Sequence, residues 1–228
     1  MLDTAMHWLG YGLCHQLPVR SFFAAGHQLP VCARDTGIYL GFVVSLGLIT
    51  FLDRGRRRSA MPPAWLLAVG AALVGLMALD GVTEYAGLRT TTNLIRLATG
   101  LGMGFALTLF VVPLLAAQLW RSRSSERVLG SPVDGVAWLL ALPVTFAFVY
   151  WVAPLLGVAY VLAVAAAILM TFTAVNLIVV ALIPRFEMRA ERLRDLGAPV
   201  GIALALAVGE IAAAGVLRLV LLSLVSRV

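Results

Sequence analysis

Six long apolar stretches constrain the fold of this chain more than any other feature. Each is about 17 to 28 residues long, and about 20 helical residues are needed to cross the hydrocarbon core of a bilayer. Backbone polar groups find no partner in lipid, so stretches of this kind cross a membrane as helices. The sequence therefore predicts an all-α, polytopic integral membrane protein with about six transmembrane helices. The stretches cover residues 36–52, 63–80, 97–117, 136–154, 158–183 and 198–225.

The composition excludes a soluble domain of this length. Of the 228 residues, 61% are hydrophobic and only 12% are charged, and the mean hydropathy is +0.98. A soluble fold needs more charged surface than these residues supply. The net charge of +6 is no sign of nucleic-acid binding, because the arginines cluster between the apolar stretches. The lipid bilayer is the partner that this composition predicts.

The placement of arginine predicts how the chain is oriented. The chain has no lysine, and eleven arginines fall in the loops 53–59, 121–127 and 184–195, which follow the first, third and fifth apolar stretches. Cytoplasmic loops carry an excess of basic residues. We therefore expect these three loops in the cytoplasm and the N-terminus on the extracytoplasmic side. The lysine-free composition is typical of a GC-rich bacterial genome, which predicts a multi-pass protein of the bacterial inner membrane.

The first 35 residues contain no stretch long enough to span a bilayer. Apolar residues recur there at helical spacing, which predicts a helix lying in the membrane interface. These residues are Leu2, Met6, Leu9 and Leu13. We therefore divide the chain into an extracytoplasmic interfacial segment, residues 1–35, and a six-helix transmembrane domain, residues 36–228.

The segment CHQLPVRSFFAAGHQLPVCARDTGIYLG holds both cysteines and two of the three histidines. Thiolate and imidazole bind zinc, copper or iron, and a carboxylate can complete a tetrahedral zinc set. The candidate metal ligands are Cys14, His15, His27, Cys32 and Asp35. Cys32 and Asp35 stand in a C-x-x-D relation, which places two side chains close together at a turn. Cys14 and His15 are adjacent, so their side chains diverge and we expect only one of them to bind a given ion.

Two other states of the cysteines fit the same residues. On the outer side of a bacterial membrane, Cys14 and Cys32 can be oxidised to a disulfide. They can also remain free structural thiols, since two cysteines are too few to define a disulfide scaffold. The spacing falls short of a standard zinc pattern, so the sequence leaves a metal site, a disulfide and free thiols open.

Two blocks of this sequence resemble a family of bacterial and archaeal predicted membrane proteins of unknown function. CHQLPVRSFF followed by LPVCARDTGIYLG is similar to the family pattern CHQ, R-S-F and P-V-C-A-R-C-T-G-I-Y, and DGVTEYAGLRTTTNLIRLATG is similar to its second block. The resemblance covers about 50 residues and implies that Cys14, His15, Cys32 and Arg34 matter, although it implies no activity. Asp35 stands where the family pattern has a second thiol. An aspartate keeps an anionic zinc ligand but forms no disulfide, which favours a metal over a C-x-x-C redox pair.

A second polar cluster lies between the second and third apolar stretches. Asp80 and Glu84 are four residues apart, so on a helix they share one face. One interpretation is an ordinary solvated loop. The other is an outward-facing pocket beside the cysteine segment, in which Asp80 or Glu84 acts as a base next to a metal-bound water. Arg34, Arg89 and Arg96 would then bind a phosphate or carboxylate headgroup, because the guanidinium fork matches both geometries.

The last apolar stretch contains two ionisable residues, Glu210 and Arg218. Such groups are costly inside a membrane and usually face a bundle interior or a cavity. Arg218 lies about 12 Å nearer the outer face than Glu210, at about 1.5 Å per helical residue, where Asp80 or Glu84 would be within its reach. A buried structural ion pair or a snorkelling side chain is the alternative.

Three functions fit these features. The first is a metal-dependent enzyme, using zinc or another transition metal, that acts on a lipid or lipid-linked headgroup. The second is a non-catalytic subunit of a larger respiratory or photosynthetic membrane complex, in which the cysteine segment is a metal or disulfide staple. The third is a small-solute transporter, suggested by the three-plus-three arrangement of spans and by Glu210. The nucleotide-binding, zinc-protease and serine-hydrolase motifs G-x-x-x-x-G-K, H-E-x-x-H and G-x-S-x-G do not occur.

Overall fold

Six helices in the described residues, 1–225 of a computed structural model, are long and apolar enough to cross a membrane. The fourth span continues beyond its α-helix through a π-helical turn, Phe148–Val152, and a 3-10 turn, Ala153–Leu156. Each span lies over one of the predicted stretches, so the predicted all-α polytopic fold is confirmed. The helices are α2 (Ala33–Asp53), α3 (Ala64–Tyr85), α4 (Asn93–Leu119), α5 (Pro132–Ala147), α6 (Val158–Ala181) and α7 (Gly197–Val225).

A shorter helix, α1 (Leu2–Tyr11), precedes the spans, where the spacing of the leucines predicts one. It packs across α7, and the two backbones approach so closely that a Cβ added at Gly12 would lie 2.5 Å from the amide nitrogen of Gly215. A small antiparallel hairpin follows, β1 (Phe23–Ala24) and β2 (His27–Gln28). The division of the chain at residue 35 stays a prediction.

Close contact between α2 and α4 forms the centre of the bundle. Gly37 and Gly41 on α2 face Gly100 and Gly104 on α4, and small residues at this spacing let membrane helices approach closely. A Cβ added at Gly37 would lie 2.6 Å from the carbonyl oxygen of Leu97. One added at Gly100 would collide with a backbone carbonyl in the first turn of α2. This packing fixes the first turn of α2, which carries several candidate site residues.

A buried chain of hydrogen bonds joins α5 to the same centre. The indole Nε1 of Trp138 donates to Ser45 Oγ at 2.8 Å, and Ser45 Oγ lies 2.5 Å from Thr108 Oγ1. All three side chains are buried. Each polar atom therefore has a partner within the bundle, as a low-dielectric interior requires.

The three arginine-rich loops meet at one end of the bundle. There β3 (Arg58–Ala60) pairs in parallel with β4 (Ser124–Arg127), and Arg57 donates to the carbonyl oxygen of Glu191 at 2.7 Å. The cysteine segment lies at the other end, where Asn93 Nδ2 donates to the carbonyl oxygen of Val19 at 3.2 Å. The grouping agrees with the alternation of loops that the arginine pattern requires. Which end faces the cytoplasm stays a prediction.

The last span, α7, is held at the edge of the bundle. Its main neighbour is α6, and its buried residues form one stripe of mostly small side chains: Pro199, Ala203, Ala207, Ile211 and Gly215. Glu210 lies at the exposed surface of α7 and accepts a hydrogen bond from Asn176 Nδ2 of α6 at 2.8 Å.

Candidate functional site

Three of the predicted metal ligands come together where α2 begins. Each of them offers one ligand atom, and the three atoms, from Cys14, Cys32 and Asp35, lie within 4.8 Å of one another. All three residues are partly buried. Cys32 is the N-cap of α2 and Asp35 lies in its first turn, so the C-x-x-D spacing does bring the two side chains together. The Cys32 thiol donates to Asp35 Oδ2 at 3.3 Å.

Cys14 reaches this group from the segment that follows α1. Its backbone N–H donates to the carbonyl oxygen of Gly10 at 2.9 Å. Its Sγ atom accepts from the backbone N–H of Cys32 at 3.3 Å and from that of Gln16 at 3.5 Å. Two backbone donors thus hold the sulfur beside the N-terminus of α2, where the helix dipole favours negative charge.

The two thiols differ in acidity. The hydrogen bond from the Cys32 thiol lowers the pKa of Cys14, and the same bond, together with burial, raises the pKa of Cys32. The Cys32 thiol has one proton, for which Cys14 Sγ and Asp35 Oδ2 are alternative acceptors. Cys14 is therefore the more easily deprotonated of the two thiols, and Cys32 would have to lose its proton to bind a metal ion.

The two predicted histidine ligands lie outside this group. His27 Nδ1 is 2.7 Å from Asp3 Oδ1, which links the β1–β2 hairpin to α1. His15 is exposed and lines a neighbouring cavity. Within the described residues the group therefore offers three ligands, from Cys14, Cys32 and Asp35, one fewer than a closed tetrahedral zinc site.

Asp80 is the centre of a buried network of ion pairs. It is 1% exposed and accepts from Arg34 Nη2 at 2.5 Å, from Arg89 Nη2 and from Thr91 Oγ1 at 3.0 Å. Asp80 itself is therefore enclosed by protein, whereas residues 86–90 of the loop that follows α3 are exposed, as the solvated-loop interpretation expects. Thr91 was not among the predicted site residues, since one hydroxyl in a run of three threonines gives no distinctive signal.

Glu84 extends the same network by one helical turn. α3 runs to Tyr85, so Glu84 and Asp80 share a helical face as their spacing predicts. The Glu84 carboxylate accepts from Arg34 Nη2 at 3.1 Å and from Arg96 Nη2, and Arg20 Nη2 lies 3.3 Å away. The acids and arginines of the prediction therefore do converge, but they pair with one another.

The two clusters meet at the first turn of α2. Arg34, which bridges Asp80 and Glu84, directly precedes the candidate ligand Asp35. A displacement of this turn would move both clusters together. The predicted proximity of the cysteine segment and the loop after α3 is therefore present in the fold.

The expected contact of Arg218 with Asp80 or Glu84 is wrong. Its Nη1 donates to the carbonyl oxygen of Cys14 at 2.7 Å and to that of Tyr11, and its guanidinium lies 4.5 Å from the Tyr11 ring. The reason is the position of α1, which crosses α7 and brings two backbone carbonyls to this arginine. The spacing of the leucines predicts the helix but contains no information on which span it crosses.

A polar cavity of about 420 Å³ lies between α1, the segment before α2 and α7. Its walls come from three distant parts of the chain, so no local pattern predicts it. The charged and polar residues along its wall include Asp3, His7, Tyr11, His15, Gln16 and Arg218.

Comparison with known proteins identifies a family whose matching segment includes both clusters. Residues 14–110, from Cys14 into α4, match the model of the family DUF2085, predicted membrane protein. An uncharacterized protein of Methanothermobacter thermautotrophicus is 38% identical over 95 residues, which are 42% of this chain and 80% of the relative. This chain belongs to the DUF2085 family. A second relative, an uncharacterized protein of Methanocaldococcus jannaschii, is 37% identical over 109 residues, 48% of this chain and 67% of the relative.

The DUF2085 match confirms the family resemblance inferred from the sequence. The matched segment contains α2, α3 and most of α4, together with both polar clusters, whereas α5, α6 and α7 lie outside it. No solved structure matches this chain significantly. Both relatives are archaeal, so the bacterial inner membrane stays a prediction for this DUF2085 protein.

Proposed function

We propose that this membrane protein binds a transition-metal ion at Cys14, Cys32 and Asp35. The types of these ligands favour zinc. The observation that supports this site most strongly is the convergence of their three ligand atoms within 4.8 Å. Ligand atoms around a tetrahedral zinc ion lie roughly 3.5 to 4 Å apart. A small inward movement of the side chains would therefore bring all three ligand atoms to zinc-binding distance. Two sulfurs and one oxygen are a set that zinc accepts and that magnesium and calcium do not favour.

We further propose that the protein is a metal-dependent enzyme acting on a lipid or lipid-linked headgroup at the outer membrane face. Structural zinc sites use four protein ligands, whereas catalytic sites use three and keep the fourth position for water or substrate. The described residues supply three, since His15 and His27 lie elsewhere. When bound, zinc supplies Lewis-acid chemistry, because it polarises a phosphoryl or carbonyl oxygen and acidifies water.

In this proposal the ion-pair network around Asp80 and Glu84 has a positioning role, because it holds the helical turn that carries two of the metal ligands. Each carboxylate contacts at least two arginines, which favours its ionised form and makes it a weak base. Arg34, Arg89 and Arg96 already hold a carboxylate, so they are poorly placed to bind a substrate anion. The network instead anchors the first turn of α2, and that turn supplies Cys32 and Asp35.

Metal analysis of matched variants tests the proposal. The purified protein is expected to carry about one zinc ion per chain, and Asp35→Asn is expected to lower the metal affinity at least tenfold. His27→Ala is the control, because His27 lies in the same segment but outside the ligand group. A disulfide predicts the opposite pattern: no free thiols in the denatured protein, and no effect of Asp35→Asn on the thiol count.

A second candidate function is a non-catalytic subunit of a larger membrane complex. The closed ion-pair network favours it, because Asp80 and Glu84 are engaged in structural contacts and leave no evident base. The Cys14–Cys32–Asp35 group would then be a metal or disulfide staple. Stable co-purification with other subunits, with complex activity intact in Cys32→Ala, would favour this role over the enzyme. The transporter alternative gains no comparable support, since Glu210 lies at the exposed surface of α7.

A further inference from the structure

Arg218 is a cation on a membrane span and has no carboxylate partner among the residues that the structure describes. Within residues 1–225, its hydrogen-bond acceptors are the carbonyl oxygens of Tyr11 and Cys14, and its guanidinium also stacks on the Tyr11 ring. A charged side chain on a span is costly unless it is paired or reaches water. Both hydrogen bonds come from Nη1, while the guanidinium carries five N–H donors. The edge formed by Nη2 and Nε is therefore available to a further partner.

The cavity that Arg218 lines has fixed walls. Gln16 joins two of them, because its Nε2 donates to the carbonyl oxygen of His7 at 3.0 Å and to that of Pro30 at 2.8 Å. His7 also packs its ring against Tyr11, at 5.3 Å between ring centroids. The two hydrogen bonds of Gln16 thus tie α1 to the segment before α2, and the ring contact holds His7 in place on α1.

The charge in this cavity favours an anion. The acid on its wall, Asp3, is hydrogen-bonded to His27 Nδ1 at 2.7 Å, and its side chain is 68% exposed, so solvent screens its charge. His15 is exposed and makes no side-chain hydrogen bond within the described residues, so its ring N–H can serve as a second donor. Arg218 and His15 together therefore present a guanidinium edge and a ring N–H donor to one space.

We infer that this cavity binds a phosphate group, with Arg218 as the main contact and His15 as a further donor. The guanidinium edge matches two phosphate oxygens. A cavity of about 420 Å³ falls in the usual range for small-ligand sites, about 300 to 1,000 Å³. Arg218 also binds the carbonyl oxygen of Cys14, so the phosphate would lie beside the proposed metal site. Its role as part of a substrate rests on the proposed function, whereas the binding itself follows from the cavity.

The surroundings favour a lipid phosphate over free phosphate. An apolar groove of about 500 Å³ lies along the same seam between α1 and α7. Its lining includes Trp8, Leu9, Ile211, Val216 and Leu219. A lipid would place its headgroup at Arg218 and its acyl chain against this apolar seam.

Titration calorimetry of the full chain in detergent tests the inference with two probes, dihexanoyl phosphatidic acid and inorganic phosphate. We expect both probes to bind, the lipid more tightly, and Arg218→Gln to weaken each about tenfold. Tighter binding of inorganic phosphate would support the same site with a soluble ligand. His15→Ala is expected to weaken binding about threefold, and it removes no contact that holds the fold. Arg121→Gln, at the arginine-rich end and 72% exposed, is the control and should bind as the wild type does.

The inference is overturned if neither probe binds, if Arg218→Gln and His15→Ala both bind like the wild type, or if Arg121→Gln weakens binding equally. Repeating the titration after chelator treatment separates it from the proposed function. Arg218-dependent binding in a protein that never held metal would support the phosphate site and contradict the proposed metal-dependent enzyme. Binding that requires the metal and is unchanged in Arg218→Gln would support the proposed metal site and contradict the phosphate site at Arg218.

Discussion

The two polar clusters on either side of the first turn of α2 differ in how their charges are balanced. Around Asp80 and Glu84, four arginines face two carboxylates, and every acid has several donors. Around Cys14, three acidic groups face one another within 4.8 Å, with no cation among the ligand atoms. Crowded acidic groups oppose one another's ionisation unless a cation lies between them.

This difference separates a structural cluster from a candidate binding site. The network around Asp80 is complete within the protein, so an added ligand would first have to break an existing pair. The Cys14–Cys32–Asp35 group is incomplete, and a divalent ion would satisfy all three ligands at once. The amino-acid types alone do not distinguish a structural cluster from a binding site, because acidic residues beside thiols or arginines fit either role.

Asp80→Asn should have the largest effect on stability. The change leaves Arg34 and Arg89 facing a neutral side chain at a position that is 1% exposed. Removing one partner of a buried pair typically costs about 3 to 5 kcal/mol in the free energy of unfolding. Denaturant unfolding in detergent measures the loss. A loss below about 1 kcal/mol, the range of exposed pairs, would show that the network is solvated.

Gly100→Ala should disturb both clusters at once. The added methyl group would collide with the carbonyl oxygen of Arg34 and push the first turn of α2 away from α4. Overpacking of this kind costs about 1 to 3 kcal/mol in the free energy of unfolding, and we expect the metal affinity to fall with it. Gly75→Ala is the matched control, because a Cβ there meets no atom within 4 Å. Equal behaviour of the two variants would contradict the close contact of α2 with α4.

Metal removal should affect one cluster and spare the other. Chelator treatment is expected to speed hydrogen exchange in the segment between α1 and α2, because Cys14 would lose its link through the ion to Cys32 and Asp35. Exchange at the end of α3, around Asp80 and Glu84, should stay unchanged, since its ion pairs need no metal. Mass spectrometry of peptides from both regions measures this. Faster exchange in both would mean that the clusters are one cooperative unit.

Arg20→Gln should have the smallest effect. The Arg20 side chain is 48% exposed and pairs with Glu84 at 3.3 Å. Exposed pairs contribute about 1 kcal/mol or less, so the free energy of unfolding should hardly change. The same denaturant experiment compares it directly with Asp80→Asn. A loss as large as that of Asp80→Asn would place Arg20 within the buried part of the network.

Local periodicity predicts much of the fold and part of the site. Apolar length predicts the six spans, leucine spacing predicts α1, and the C-x-x-D relation predicts the contact of Cys32 with Asp35. The i, i+4 spacing predicts the shared face of Asp80 and Glu84. Each of these features depends on residues close in sequence, whose geometry a regular helix or turn fixes.

Among features that depend on distant parts of the chain, the proximity of the two clusters was predicted, but several individual contacts were not. Arg218 binds carbonyls of Tyr11 and Cys14 because α1 crosses α7, and no local pattern encodes that crossing. His27 lies outside the ligand group and contacts Asp3 of α1, 24 residues away in the chain. The arginines expected to bind substrate are occupied by acids on another helix, which only the packing of α2 on α4 and of α3 on α4 determines.

X-ray absorption at the zinc edge of the purified protein tests the metal site most directly. A bound ion at Cys14, Cys32 and Asp35 predicts two sulfur neighbours at about 2.3 Å and oxygen or nitrogen neighbours at about 2.0 to 2.2 Å. This signal should be reduced in Asp35→Asn and in Cys32→Ser but persist unchanged in His27→Ala. A protein without any transition metal, in which peptide mapping finds Cys14 disulfide-bonded to Cys32, would contradict the metal site.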